Sequence, residues 1–264
     1  MSGLRKTWLR FLALASFGLG VFSPAMAFGQ EGDQAMYLIR PEEVKIDWFF
    51  HGQNITFEAI TPFQSTLVLR ILGPKEDVVL MKKERIGGLW MNGKEVKFEN
   101  IPSTILLWTT AIPSAQSESS FLREMKLDYS SLLSDSLPGR PPQEKRVLIE
   151  ELIKLKEHDK IYQIHEGAIH VVPFKKGVSD KSEVVLHLPA KIAPGIYSVE
   201  LIAFKDGKST VLCCHTLVVK LTGLPAFIAN LARQNGLLYG LYAVLIATLS
   251  GFGIGVFFRS KSHH

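Results

Sequence analysis

The run from Leu237 to Phe258 constrains this chain more than any other stretch. It reads LLYGLYAVLIATLSGFGIGVFF, twenty-two residues without a charge. At about 1.5 Å per residue, a helix of that length crosses a hydrocarbon core of roughly 30 Å. The preceding residues are then expected to form a domain held at a membrane, and residues 259–264 a short tail.

A second apolar run, Phe11–Phe22, follows Arg5, Lys6 and Arg10 and precedes Pro24 and Ala25-Met26-Ala27. This is the layout of a secretory leader, so residues 1–27 are expected to be a signal peptide cleaved after Ala27. Twelve apolar residues are short for a span, which disfavours a signal anchor. The net charge of +5 belongs to these ends. With the three basic groups of the leader and Arg259 and Lys261 of the tail removed, 25 basic residues face 25 acidic ones. A balanced surface offers no footprint for nucleic acid. Arg259 and Lys261 directly after the span predict a cytoplasmic C-terminus by the positive-inside rule. Leader and tail agree on a type I topology with residues 28–236 outside. Two cysteines make no disulfide framework, so the fold must rest on an apolar core.

Residues 28–222 are expected to be a β-rich ectodomain. Val44, Ile46 and Trp48 alternate with Lys45 and Asp47, and His51-Gly52 leads into Ile55, Phe57 and Ala59. Leu67–Leu72 and Val78–Met81 continue, and Asn92-Gly93 between Leu89-Trp90-Met91 and Val96-Lys97-Phe98 predicts a hairpin turn. Thr104–Thr109 adds another strand, giving about seven before residue 110 and pointing to a β-sandwich. A helical insertion over about residues 117–160 follows. Phe121, Leu122, Met125, Tyr129, Leu132 and Leu133 have helical spacing, and Leu137–Pro142 breaks that helix. The next has Leu148, Ile149, Leu152, Ile153 and Leu155 on one face, with Glu150, Glu151, Lys154 and Lys156 off it. The pair either lids the sandwich or separates two small domains. Strands resume at Ala168–Val172 and Glu183–Leu188, and Asp206-Gly207 turns Tyr197–Ala203 onto Val211–Lys220, a closing hairpin of immunoglobulin-like type. The fold class expected is mainly β: an immunoglobulin-like β-sandwich with an inserted helical pair and a C-terminal transmembrane helix.

Residues 223–236 read as an amphipathic interfacial segment. Leu224, Phe227, Ile228 and Leu231 form an apolar stripe opposite Asn230, Arg233 and Gln234. A helix packed on its own ectodomain is the alternative.

Signs of chemistry are sparse. Cys213, Cys214 and His215 could hold a soft metal such as copper, or the thiols could pair. Strand alternation sends adjacent side chains to opposite faces, grouping Cys213 with Val211 and Leu217 and Cys214 with Leu212 and Val218, which favours structural roles. His158, His165 and His170 fit no zinc spacing and read as surface histidines around a loop. No nucleophile elbow, phosphate loop or metalloprotease motif occurs, so no catalytic residue, metal or cofactor is assigned and an enzyme is not expected. Glu42, Glu43, Glu150 and Glu151 read as solvated carboxylates. Asn54-Ile55-Thr56 is a glycosylation sequon, relevant only in a eukaryote. Trp48, Trp90 and Trp108 could stack a sugar, but their strand contexts favour core packing. In the span, Ala243, Ala247, Gly251 and Gly255 recur every fourth residue and form a candidate helix-packing face, for a permease or a second copy.

Gly88-Leu89-Trp90-Met91-Asn92, Phe98–Ser103, Pro194–Val199, Leu237–Leu241 and Phe258-Arg259 occur in that order. Together they resemble the "putative transmembrane protein" family described from alphaproteobacteria, over about Val44–Arg259. Met91 stands where the resemblance leads one to expect Val, and the Cys213-Cys214 pair is not a hallmark of it. The resemblance implies a Gram-negative host, a periplasmic ectodomain and a silent sequon. Because members look to be encoded beside sulfite-exporter-type permeases, it also implies a transporter as partner, but it supplies no catalytic residues. The expected function is a non-enzymatic accessory protein of the inner membrane. The alternatives are a thiol or copper handler using Cys213, Cys214 and His215, and a ligand-binding or hydrolytic ectodomain.

Overall fold

A computed structural model describes residues 36–86, 88–111, 118–175 and 177–261. The expected signal peptide lies outside the described residues. The domain that precedes the apolar C-terminal helix is built on two sheets packed face to face. The first, in the order β1-β3-β10-β9, uses Tyr37–Arg40, Gln53–Pro62, Ser179–Leu188 and His170–Lys175. The second runs β2-β12-β11-β4-β7-β8, from Glu43–Ile46, Lys208–Leu221, Gly195–Lys205, Thr66–Leu72, Ile105–Thr109 and Tyr162–His165. The chain passes from β1 to β2, and so between sheets, at the cis Arg40–Pro41 bond. Strands β5 (Lys75–Ile86) and β6 (Leu89–Pro102) form a separate long hairpin.

The period of two explains which residues meet between the sheets. Ile55, Phe57 and Ala59 of β3 and Val184, Leu186 and Leu188 of β10 point inward. They meet Leu67, Leu69 and Ile71 of β4 and Tyr197, Val199 and Leu201 of β11. Strand β7 departs from alternation: all five residues are buried. Its other face is covered as well. Val68, Ile105, Leu107, Ile202 and Phe204 on the outer side of the second sheet pack under Phe98 and Ile101 of the hairpin and under Phe121, Leu122, Leu133, Ile149 and Leu152 of the helical insertion. The helices therefore lid one sandwich and do not separate two domains.

Four expectations are corrected. Asn92-Gly93 is not a turn: β5 and β6 pair as far as Ile86↔Leu89, and the chain reverses there, with Gly88 at φ 88°. The Asn-Gly pair sits inside β6, where Met81↔Glu95 shifts to Lys83↔Asn92 and absorbs extra residues as a bulge. The first helix is two pieces, α1 (Glu118–Glu124) and α2 (Tyr129–Leu132). Lys126 takes a left-handed φ of 55°, and the Leu127 amide donates to the Leu122 carbonyl, closing α1 in the manner of a Schellman cap. Helix α3 (Pro142–His158) exists as expected, with Pro at its start. Its buried face is Ile149, Leu152 and Lys156, whereas Leu155 is exposed. Lys156 thus faces the sheet: its ammonium lies 2.8 Å from Glu76 and 5.8 Å from the Tyr162 ring centroid. Fourth, the alternation assumed through Val211 fails. The pairing jumps from Leu201↔Cys213 to Ile202↔Val211, so Leu212 is bulged and buried while Val211 is exposed.

After β12, α4 (Gly223–Gln234) and α5 (Gly236–Lys261) follow, with the non-helical Asn235 between them. Gly236–Gly255 is long and apolar enough to cross a membrane, the one such helix among the described residues, and none of the described residues buries it.

Candidate functional site

Strand β12 carries both thiols. Cys213 faces the inter-sheet core and is 4% exposed, and desolvation pushes its thiol up to about 11, partly opposed by a hydrogen bond to the Leu201 backbone. Cys214 points to the opposite side and is exposed; both are free thiols. It lies opposite Glu200, whose carboxylate accepts from the Arg70 guanidinium at 2.5 Å. His215 returns to the inner side near the sandwich edge. Its Nδ1 is 3.3 Å from the Tyr37 hydroxyl, and the two rings meet edge to face at 5.8 Å. Burial, then the nearby thiols, hold the Tyr37 hydroxyl above its ordinary range. His215 Nε2 is buried without a hydrogen-bond partner. The pleat therefore sets Cys213 and His215 apart from Cys214. Among the described residues, no three His, Cys, Asp or Glu side chains are grouped to hold a metal ion.

The other candidates also disperse. His158, at the end of α3, and His170, on β9, are exposed. His165 is half-buried and stacked on Trp108 at 5.1 Å, and desolvation, then the charge of His187, lowers its pKa. It is thus a packed residue and not a surface one. Asn54 at the start of β3 is exposed, its Oδ1 2.8 Å from His187 Nδ1. Of the tryptophans, Trp108 is core at 2% exposure, but Trp48 is 64% exposed, which corrects the core role expected for it. The Trp90 side chain lies outside the described residues. Glu43 pairs with Lys220 at 3.4 Å, Glu150 with Arg146 at 3.1 Å and Glu151 with Lys154 at 3.0 Å. Such exposed pairs contribute little energy.

The end of the sandwich that adjoins α4 carries exposed apolar side chains that periodicity did not reveal. Strand β2 runs parallel to β12 with Ile46↔Leu221 in register, and the Thr222 amide donates to the Ile46 carbonyl at 2.8 Å. The loop Asp47–Phe50 therefore leaves the sheet beside the start of α4. Phe50 packs against the core, while Trp48 and Phe49 project outward. The loop is braced by the Phe49 amide donating to the Asp47 carboxylate at 2.9 Å. A shallow cavity of about 390 Å³ separates α4 from the ends of β11 and β12, lined by Gly195, Leu221, Ala226, Ala229, Asn230 and Arg233 among others. The helix residues in that lining recur at i, i+3, i+4 and i+7, so α4 turns its small and polar face toward the sandwich. Leu224, Phe227 and Ile228 are exposed. The alternative of a helix packing its apolar stripe on its own domain is not what forms.

On α5, Ala243, Ala247, Gly251 and Gly255 are all exposed, and a side chain built at Gly251 or Gly255 would meet nothing. They remain a row of small residues along an uncovered helix.

The family described as "Putative transmembrane protein (Alph_Pro_TM)" matches residues 38–260, from β1 into the end of α5. The chain belongs to this family. The match spans the sandwich, the helical lid, α4 and the apolar helix together. No curated protein matches the chain.

Proposed function

We propose that the protein is a non-enzymatic accessory subunit of a membrane transporter. In this reading α5 crosses a bacterial inner membrane, with the sandwich in the periplasm and the C-terminus in the cytoplasm. The observation that carries the proposal is the asymmetry of an otherwise uniformly apolar helix. Ala243, Ala247, Gly251 and Gly255 recur every fourth residue along α5, while bulky residues such as Leu245, Ile246 and Leu249 are exposed off that row. An anchor needs only length and hydropathy. A small-residue row allows a second helix backbone to approach closely, where packing and not hydration drives association. A partner reached this way is itself a membrane protein. The resemblance to proteins encoded beside sulfite-exporter-type permeases supports a permease of that type.

The orientation rests on Arg259 and Lys261 after the span and on the leader-like N-terminus. The immunoglobulin-like reading of the ectodomain is supported by strand order, with β1-β3-β10-β9 facing β12-β11-β4 and the first strand divided between sheets.

The test is in-membrane crosslinking from Gly251→Cys with Cys213 and Cys214 replaced by Ala. An adduct to a polytopic membrane protein, weakened by Gly255→Leu, is expected. An adduct at twice the monomer mass would replace the transporter with a second copy, and no adduct removes the reading.

A further inference from the structure

We propose that the ectodomain does not swing freely above the membrane but is seated on the lipid by a two-part surface. One part is the aromatic loop at Trp48 and Phe49; the other is the apolar face of α4. The occupant is the headgroup and upper acyl region of the bilayer that α5 enters. This goes beyond the transporter reading and holds whichever partner α5 meets.

Three observations converge on the bilayer as occupant. The first is continuity: α4 ends at Gln234 and α5 begins at Gly236, so a single residue separates them. At about 1.5 Å per residue, the twelve residues of α4 extend only roughly 18 Å, so no part of it can lie far from where the span enters the lipid. Asn235, at φ −139° and ψ 69°, breaks the helix there and lets its direction change.

The second is facial orientation. The side of α4 toward β11 and β12 carries Ala226, Ala229, Asn230 and Arg233 across the cavity, while Leu224, Phe227 and Ile228 point away, at 50%, 57% and 39% exposure. An amphipathic helix lying in an interface buries its apolar face about 5–10 Å into the headgroup and acyl boundary. Water alone would favour the reverse rotation, with the apolar side chains on the sandwich.

The third is the loop. Trp48 and Phe49, at 64% and 76% exposure, stand at the end of β2, tied to the start of α4 by the Thr222–Ile46 hydrogen bond. They belong to neither α4 nor the span, yet project at the same end. Trp is enriched at the headgroup level because one side of its ring tolerates hydrocarbon and the other water, and Phe49 adds apolar area beside Trp48. Contact at two separated points fixes tilt as well as height. The seat therefore holds the outer edge of the sandwich at a set angle to the membrane.

The test uses the full-length protein in nanodiscs of phosphatidylcholine with or without brominated acyl chains. Brominated lipid is expected to quench part of the wild-type tryptophan emission, and that part is expected to disappear in Trp48→Phe. Because Trp48 is exposed, the variant keeps its fold, which an unchanged circular dichroism spectrum and urea midpoint check. A nitroxide at Phe227→Cys, with both native cysteines replaced by Ala, is expected to be more accessible to oxygen than to an aqueous nickel chelate. Equal quenching of wild type and Trp48→Phe, or a nitroxide as open to nickel as one on the exposed face of α3, would overturn the proposal. Trp48 shielded from aqueous acrylamide yet untouched by brominated lipid would assign the surface to a protein partner or a second copy, and would overturn it equally.

Discussion

Helices α3 and α4 are built from the same pattern and used in opposite ways. Each has apolar residues at helical spacing on one side and polar residues on the other. Helix α3 turns Ile149 and Leu152 onto the outer face of the second sheet, with Leu152 fully buried. Helix α4 turns Leu224, Phe227 and Ile228 away from the sandwich and buries no residue. Amphipathicity identifies that a helix has a sided environment, but not what fills it. The neighbours decide. Helix α3 is followed within a few residues by β8, which pairs with β7 and draws the helix over the sheet. Helix α4 is followed by a span.

The strongest way to break this contrast is to truncate both faces. Leu152→Ala leaves a cavity between lid and sheet and is expected to cost about 2–5 kcal/mol. Phe227→Ala, measured in detergent, is expected to stay within about 0.5 kcal/mol of wild type because the sandwich loses no contact. Equal shifts in the urea midpoint for the two variants would show that α4 is a core helix after all. A smaller effect separates the polar residues. Lys156, buried on α3 beside Glu76 and Tyr162, is expected to lose about 1–2 kcal/mol as Lys156→Ala, since the half-exposed Glu76 can rehydrate. Lys156→Met divides that loss: a midpoint near wild type assigns it to packing of the stem, one near the Ala variant to the ion pair. Arg233→Ala, on the exposed α4, is expected to change stability by less than about 0.5 kcal/mol.

The readable and unreadable parts of this molecule divide along the same line. Strands β3, β10 and β11 were legible because one face meets a core and the other does not, and the span was legible because lipid demands an unbroken apolar run. What local pattern did not reveal was set by distant partners. Asn92-Gly93 has the chemistry of a tight turn, yet β5 remains paired alongside it, so it becomes a bulge. Strand β8 alternates over only four residues, too short a run to stand as a strand alone, and exists because β7 offers a parallel edge. Lys156 reads as a surface residue, and only the fold brings Glu76, eighty positions away, within reach of it. Trp48 continues the alternation of Val44 and Ile46, but β2 ends at Ile46, where the loop leaves the sheet and the ring projects outward. The candidate thiol site follows the same logic: the opposed directions of Cys213 and Cys214 were readable from the pleat, but the Leu212 bulge and the Tyr37–His215 contact across the sandwich edge were not.

Those two cysteines compress the contrast between α3 and α4 into adjacent residues, and they give the prediction with the smallest effect at neutral pH. Desolvation raises the Cys213 thiol from 9.0 to about 11 in the folded chain, whereas in the unfolded chain it titrates near its ordinary value. Between those limits the folded state binds more protons than the unfolded one, so stability falls as pH rises. The contribution is fully present below pH of about 9 and is lost as pH climbs through about 11. Other groups, including the half-buried Tyr37 and the buried Tyr197, are shifted in the same direction, so the informative quantity is a difference between variants. Cys213→Ala is expected to lose less stability than wild type between these limits. Alkylation supplies an independent measure: Cys214 is expected to react with iodoacetamide in the folded protein and Cys213 only on unfolding, because the reactive species is the thiolate. Matching alkylation rates would mean that the inner face of β12 opens to solvent as readily as the outer one, and the division of this strand into a core side and a surface side would fail.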